Sequence, residues 1–209
     1  MPTTVTTVLS VNVGRAREFD YNGRPAKSAI WKSPVAGRIA ARGVNLEGDD
    51  QADRKAHGGP DKSVYAYSIE DLRWWEEKLG RSLQYAEFGE NLTTEGVAVN
   101  DALVGERWEI GTAVFEVSEP RIPCWRLGVR MNDQGFVRRF TEALRPGTYL
   151  RIIVEGAVGA GHQDHRKTGA RSDGSRHISN LHSRSRGGRA IARRSSHLGE
   201  LAEVGGKLS

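Results

Sequence analysis

The sequence predicts a mainly β domain with a few helices, followed by a C-terminal tail of different composition. Short runs of β-branched and aromatic residues recur between glycines, prolines and charged turns, which is the pattern of a barrel or sandwich. In residues 1–161, two segments have the apolar spacing of a helix. All fifteen aromatic residues lie before residue 162, whereas five of the six histidines lie at or after it.

The predicted strands begin with a valine-rich run near the N-terminus and continue to about residue 155. They cover residues 5–13, 28–32, 37–42, 62–67, 107–110, 113–118 and 148–155. Strands and helices do not alternate along the chain as they do in a doubly wound nucleotide-binding fold. A fold of that kind is therefore not expected.

Two helices are predicted between the strands. The first follows Ser68, whose hydroxyl can cap it, keeps its apolar residues on one face, and ends at Gly80. The second covers about residues 135–144 and stops before Pro146, which cannot continue a helix.

Composition divides the chain into a predicted domain at residues 1–161 and a basic, low-complexity tail at residues 162–209. The tail holds ten Lys and Arg against four Asp and Glu, whereas the domain holds 21 basic and 22 acidic residues. The net charge of +5 therefore comes from the tail. Because the tail has too little apolar surface to offset the entropy of ordering, we expect it to be disordered.

The N-terminus and the cysteine content indicate a cytoplasmic location. Residues 1–14 contain no basic leader followed by a long apolar run, and no stretch of the chain is long and apolar enough to span a bilayer. The single cysteine excludes an intrachain disulfide, which fits a reducing compartment. We expect no association with a membrane.

That cysteine, Cys124, lies in the most informative segment, residues 117–128. Pro120 and Pro123 stiffen the chain before it, and Arg121 and Arg126 flank it. Nearby guanidinium charge favours the thiolate, which is the form that ligates metals or attacks an electrophile. The alternative interpretation is a small buried apolar side chain. These residues alone support the two interpretations about equally.

Two further segments carry candidate binding residues. His57 and Lys62 flank a Gly-Gly-Pro-Asp turn, where the glycines let the backbone approach a ligand. Asn91 and Thr93 belong to a cluster of hydrogen-bonding residues between Gly89 and Gly96. Each segment can also be an ordinary turn with solvated side chains.

Two classes of site are excluded by the inventory of residues 1–161. A cysteine hydrolase needs a nearby base, and His57 is the one histidine in this range. A zinc site needs three or four suitably spaced ligands, which one cysteine and one histidine do not provide.

Taken together, the segments resemble the MOSC family, named for the C-terminal domain of molybdenum cofactor sulfurases, and in particular its small stand-alone bacterial branch. The resemblance runs in order through six blocks and ends near residue 156. They are residues 27–34, 48–53, 57–67, 87–93, 120–127 and 147–151. Beyond Gly161-His162, where a Gly-Asp pair is common in this branch, the resemblance stops. Either a native tail or a reading-frame change in the gene explains this.

The resemblance implies a twisted MOSC-type β-barrel with peripheral helices, and a molybdenum cofactor (molybdopterin) as the ligand. Cys124 would be the ligand of the metal, and Arg121 would contact the phosphate or the pterin of the cofactor. The remaining cofactor-binding candidates are Asn91, Thr93, His57, Lys62 and Arg126.

The activity implied for this branch is the reduction of N-hydroxylated compounds, such as hydroxylamino bases, to amines. The chain has no flavin or nicotinamide motif, so the electrons would come from a separate flavoprotein or iron-sulfur reductase. Two alternatives stay open: a sulfur or cofactor carrier with a Cys124 persulfide, and nonspecific nucleic-acid binding through the arginine-rich tail. A homo-oligomer is compatible with all of these.

Overall fold

The computed structural model describes residues 6–52, 58–167 and 178 of the 209-residue chain. Thirteen strands occur in these residues: β1 Thr6–Val13, β2 Arg17–Tyr21, β3 Arg24–Ser28, β4 Ser33–Pro34, β5 Arg38–Arg42, β6 Asn45–Leu46, β7 Val64–Ser68, β8 Leu92–Glu95, β9 Arg107–Ile110, β10 Ala113–Pro120, β11 Thr148–Val154, β12 Gly156–Gly159 and β13 Gln163–Lys167. Three α-helices accompany them: α1 Ile69–Leu79, α2 Trp125–Arg130 and α3 Phe136–Glu142. Short 3-10 turns cover Pro60–Lys62 and Val99–Asp101.

Eight strands form the main sheet, in the order β13-β9-β10-β11-β7-β8-β1-β4. The pairings are antiparallel except for β7 with β8. β13 also meets β1, but over two residue pairs only, and no closed barrel is found among the described residues. The prediction of a mainly β fold with peripheral helices is confirmed.

The strand predicted at residues 28–32 is wrong. β3 ends at Ser28, whose hydroxyl accepts a hydrogen bond from the Ile30 backbone, and the chain then turns. β3 pairs instead with β2 in a separate hairpin. Asn22 and Gly23 form its turn with φ values of 55° and 75°. The Asn-Gly pair, a strong hairpin signal, could have predicted this element.

Both predicted helices are present, and a third had no counterpart in the sequence analysis. The Ser68 hydroxyl accepts a hydrogen bond from the Asp71 backbone at the start of α1, and Gly80 ends the helix with a φ of 64°. α3 corresponds to the helix predicted at residues 135–144. α2 was missed because its six residues are too few to show a helical period.

Two apolar clusters hold these layers together. The first is largely aliphatic, lies among the strands of the sheet, and includes Val8, Leu92 and Phe115. The second is mainly aromatic and joins α1 and α3 to the sheet around Trp75 and Phe140. Each fully buried side chain of this size contributes about 1.5–3 kcal/mol to folding. The aromatic packing therefore fixes α1 and α3 against β7 and β11.

The sheet continues beyond residue 161, because β13 pairs with β9 and β1. Ile178 is also buried, and its backbone N–H donates to the carbonyl of Ala102 at 3.0 Å. Residues 168–177 and 179–209 lie outside the described residues, so the domain division and the disorder stay predictions. Within the described part of the chain, none of the helices has the length and apolar content needed to cross a membrane.

Candidate functional site

A cleft opens beside the turn that follows β10. The chain after β3, the loop at residues 49–52, the start of β7 and the segment after β10 supply its walls. Cys124 lines the cleft at the start of α2, partly buried and in an extended conformation. The exposed side chain of Ile122 lies at the same wall. The fold therefore presents the thiol to a cavity and not to the apolar core.

Arg121 lies in the cleft wall with only 6 % of its surface exposed. Its Nη1 donates to the Phe88 carbonyl at 2.5 Å, and its Cζ lies 4.7 Å from the centre of the Tyr65 ring. Burial alone would lower the pKa of Arg121, but Tyr65, Tyr149 and Cys124 raise it overall. Arg121 is therefore a fixed positive charge that interacts with Cys124.

A buried ion pair joins two other residues of the cleft wall, Lys32 and Asp49. The side chains of Lys32 and Asp49 are 8 % and 3 % exposed. Asp49 also accepts from the backbone N–H of Gly14 and from Asn91 Nδ2, both at 2.8 Å. Burial lowers the pKa of Lys32 although Asp49 raises it. The cleft thus contains a lysine that releases its proton more readily than a solvated one.

Lys62 and Arg126 add two more cations to the cleft. Lys62 Nζ lies 3.0 Å from Glu119 Oε1, and both side chains are partly exposed. Arg126 Cζ lies 4.7 Å from the centre of the Trp125 ring. Together with Arg121 and Lys32, these side chains make the walls suitable for an anionic group such as a phosphate.

A buried carboxylate organises the loop that receives Arg121. Glu90 accepts from the backbone N–H of Ala86 at 2.7 Å, from that of Phe88 at 3.1 Å, and from the Thr93 hydroxyl at 3.2 Å. Burial raises the pKa of Glu90, and these hydrogen bonds oppose that rise. Because the same loop carries the Phe88 carbonyl, Glu90 helps to place Arg121.

Gly89 brings this loop close to the opposite wall. Its φ is 81°, and a Cβ at this position would lie 2.7 Å from Ile30 Cγ1. No other residue type fits both the backbone conformation and the space without rearrangement.

The structure brings most of the predicted binding residues into the cleft. Cys124, Arg121, Asn91, Lys62 and Arg126 line it. Thr93 is fully buried instead, and its hydroxyl is hydrogen-bonded to Asn12 and Glu90. His57 lies outside the described residues. The cofactor-binding roles of all these residues stay predictions.

Asn91 has a structural role as well. Its Oδ1 accepts from the Tyr65 backbone at 3.0 Å, and its Nδ2 donates to the Asn12 carbonyl at 3.1 Å and to Asp49. The side chain therefore ties β7 and β1 to the loop that carries Asp49. These hydrogen bonds within the protein are sufficient to explain why an amide side chain is buried at the cleft wall.

Sequence reasoning did not single out several residues of the cleft. Lys32, Asp49, Tyr65, Tyr149 and Ile122 are the main ones. Lys32 and Asp49 lie in blocks that carried the resemblance, yet 17 positions separate them, and only the fold shows that they pair.

Comparison with known proteins agrees with this fold. The sequence profile of the MOSC domain matches residues 53–163. YflK of Bacillus subtilis is 38% identical over 154 residues, which cover 74% of this chain and 70% of YflK. A protein of Gibberella moniliformis named "Reductase" is 27% identical over 155 residues, which cover 72% of this chain and 27% of that protein.

The solved structure of YiiM from Geobacillus stearothermophilus has the same fold. It superposes with a TM-score of 0.69 at 26% sequence identity, over 96% of this chain and 93% of that one. The strand-rich fold, the profile match over more than half of the chain and the identity to YflK lead to one conclusion. The chain belongs to the MOSC domain family.

Proposed function

We propose that the cleft binds a molybdenum cofactor through Cys124, and that the protein reduces N-hydroxylated compounds, such as hydroxylamino bases, to amines. The electrons would come from a separate flavoprotein or iron-sulfur reductase in the cytoplasm. One observation carries the proposal: a partly buried thiol lies in the same cleft as four cationic side chains. A homologue named "Reductase" supports the class of reaction.

The residues of the cleft fit the proposed cofactor. A thiolate is a soft ligand that suits a transition metal, and Cys124 is placed to provide one. The guanidinium groups of Arg121 and Arg126 can hold a phosphate through paired hydrogen bonds. The bound cofactor would supply the two-electron redox chemistry.

The protein's own residues would fix the geometry around this group. Arg121 is held by the Phe88 carbonyl and lies over the Tyr65 ring, so it has little freedom to move. Burial raises the pKa values of Tyr65 and Tyr149 more than the positive charge of Arg121 lowers them, so both pKa values lie above the ordinary value of a tyrosine. Both phenols therefore remain neutral donors at physiological pH, and the cleft keeps its positive charge.

Metal analysis tests the cofactor part of the proposal. Protein made in cofactor-competent cells should contain molybdenum and a pterin, and Cys124→Ser should lose most of the metal because a hydroxyl is a poor ligand for it. The surface variant Lys78→Arg on α1 serves as a control and should retain the wild-type metal content. Wild-type protein without molybdenum or pterin would refute the proposal.

A carrier role is the second candidate, because the partly exposed Cys124 can also hold a persulfide or pass on a cofactor. Reduction of a hydroxylamino purine by cofactor-loaded protein, with a reduced viologen dye as electron donor, separates the two. Turnover supports the reductase. Loaded protein that transfers sulfur or cofactor but does not turn over supports the carrier.

A further inference from the structure

We propose that Lys32 is the acid that protonates the departing hydroxyl group of an N-hydroxylated substrate in the cleft. This inference rests on the reductase function proposed above and adds a catalytic residue to it. The sequence analysis gave Lys32 no role, and the proposed function uses it only as one of the four cations of the cleft.

The placement of Lys32 is the first argument. Its side chain is almost completely buried, yet it lines the cleft together with Cys124 and Arg121. It extends from the turn between β3 and β4, where its backbone N–H donates to the Ile30 carbonyl at 3.1 Å. A buried ammonium group is costly, and proteins retain one mainly where it has a partner or a function.

The second argument is that Asp49 orients the ammonium group. Gly14 and Asn91 hold the carboxylate independently of Lys32, so its position is fixed by β1 and by the strand end that carries Asn91. An ammonium group has three N–H donors. Of the described residues, Asp49 is the one whose side chain accepts from it, which leaves donors for an oxygen atom in the cleft.

The surrounding charges set how readily this proton is released. Burial lowers the pKa of Lys32, Asp49 and Asp50 raise it, and the positive charge of Arg121 lowers it further. The net effect is a pKa below that of a solvated lysine. A general acid works best when its pKa approaches the working pH, so this environment favours proton transfer.

The other titratable groups of the cleft are less suitable acids. Arg121 and Arg126 cannot release a proton under physiological conditions. Tyr65 and Tyr149 have raised pKa values because they are buried. Lys62 is more exposed than Lys32 and pairs with Glu119 at the edge of the cleft.

The proposed step balances as follows. The hydroxylamine R–NH–OH accepts two electrons from the flavoprotein or iron-sulfur reductase, and its N–O bond breaks. Lys32 gives its proton to the departing oxygen, which leaves as water, and the nitrogen takes a second proton from solvent to form R–NH2. Neutral Lys32 then regains a proton from solvent, while the Asp49 carboxylate favours its return to the charged form.

Lys32→Arg is the decisive variant. Arginine preserves the positive charge and the pairing with Asp49, but it cannot act as a proton donor. With hydroxylamino purine and a reduced viologen dye, kcat should fall by about 100-fold or more, with little change in KM. Molybdenum content should equal that of the wild type. The surface variant Lys78→Arg should keep wild-type kcat.

A measurement without cofactor or turnover tests the same group. NMR of protein labelled with ¹³C-lysine follows each ammonium group as the pH rises. The signal missing from Lys32→Arg, or from Lys32→Met if the arginine variant does not fold, identifies Lys32. It should titrate below pH 10.5, the ordinary pKa of a lysine side chain, and the alkaline fall of wild-type kcat should have the same midpoint.

The outcomes separate this proposal from the one on which it depends. Reductase activity in Lys32→Arg within tenfold of the wild type, or titration of Lys32 at pH 10.5 or above, would overturn the role of Lys32 alone. Wild-type and Lys78→Arg protein that are both inactive would overturn the reductase function, and the proton-donor role with it.

Discussion

The cleft contains two lysine–carboxylate pairs that differ in burial. Lys32 and Asp49 are 8 % and 3 % exposed at the side chain, whereas Lys62 and Glu119 are 27 % and 35 % exposed. The carboxylate of the buried pair also accepts hydrogen bonds from the backbone of β1 and from Asn91. The same two functional groups therefore occur in the same cleft in two different environments.

This difference indicates that burial, and not the chemical identity of the two groups, determines how much a salt bridge contributes to stability and how readily its lysine releases a proton. An exposed pair interacts through solvent and typically contributes between 0 and about 1 kcal/mol. A buried pair costs free energy to desolvate, and removing one partner destabilises the protein strongly because the other charge stays buried without compensation. The buried pair should thus control stability and proton release, and the exposed pair should tune the electrostatic field of the cleft.

Breaking the buried pair should have the largest effect on folding. Asp49→Ala leaves the Lys32 ammonium without its partner and removes an acceptor from Gly14 and Asn91. We expect the free energy of unfolding to fall by about 3–5 kcal/mol, measured by urea denaturation at pH 7.

The neighbouring Asp50→Ala is the matched control. Asp50 pairs with the exposed Arg15 and accepts a hydrogen bond from the Ala16 backbone. Its replacement by alanine should lower the free energy of unfolding by no more than about 2 kcal/mol. Equal losses for Asp49→Ala and Asp50→Ala would mean that burial does not distinguish the pairs.

The pH dependence of stability should show a smaller effect of the buried pair. The pKa of Lys32 in the folded protein lies below its value of 10.5 in the unfolded chain. Between those two values the unfolded chain binds more protons, so the contribution of Lys32 to stability must increase as the pH rises. Below the folded pKa the penalty for burying the charge is fully present.

Lys32→Arg does not titrate in this range and provides the comparison. The stability of the wild type relative to Lys32→Arg should therefore rise from pH 7 towards pH 10.5 in urea denaturation. Lys78→Arg, at an exposed site on α1, should show no such trend. A constant difference between the wild type and Lys32→Arg would contradict the lowered pKa of Lys32.

The sequence was sufficient to predict the elements that depend on local patterns. The α1 boundaries follow from a serine cap and a terminal glycine, and both are effects of neighbouring residues. The turn that presents Cys124 follows from two prolines in a short segment. The resemblance also placed five of the predicted binding residues at the cleft wall.

The network around Asp49 could not be predicted in the same way. Asp49 contacts Gly14, Lys32 and Asn91, which lie 35, 17 and 42 positions away along the chain. Such contacts depend on how the strands pair, and no pattern among neighbouring residues in the sequence predicts them. Thr93 was a candidate because it belongs to a cluster of hydrogen-bonding residues and to a block of the resemblance, and neither shows that its hydroxyl is buried against Asn12 and Glu90.

The exposed pair should give the smallest effect, and one that depends on salt. Lys62→Gln removes a charge 3.0 Å from Glu119 without uncovering buried surface, so we expect a loss of at most about 1 kcal/mol in urea denaturation. At low salt the positive charge of Lys62 attracts the anionic cofactor, whereas 1 M salt screens this attraction. Lys62→Gln should therefore lose more molybdenum, relative to the wild type, when the protein is washed at low salt than when it is washed at 1 M salt. Glu119→Gln should act in the opposite direction on cofactor retention, since it removes a negative charge from the same edge of the cleft. If Lys62→Gln lowered the free energy of unfolding as much as Asp49→Ala does, the two pairs would contribute equally to stability, and the exposure of their side chains would not explain the difference proposed here.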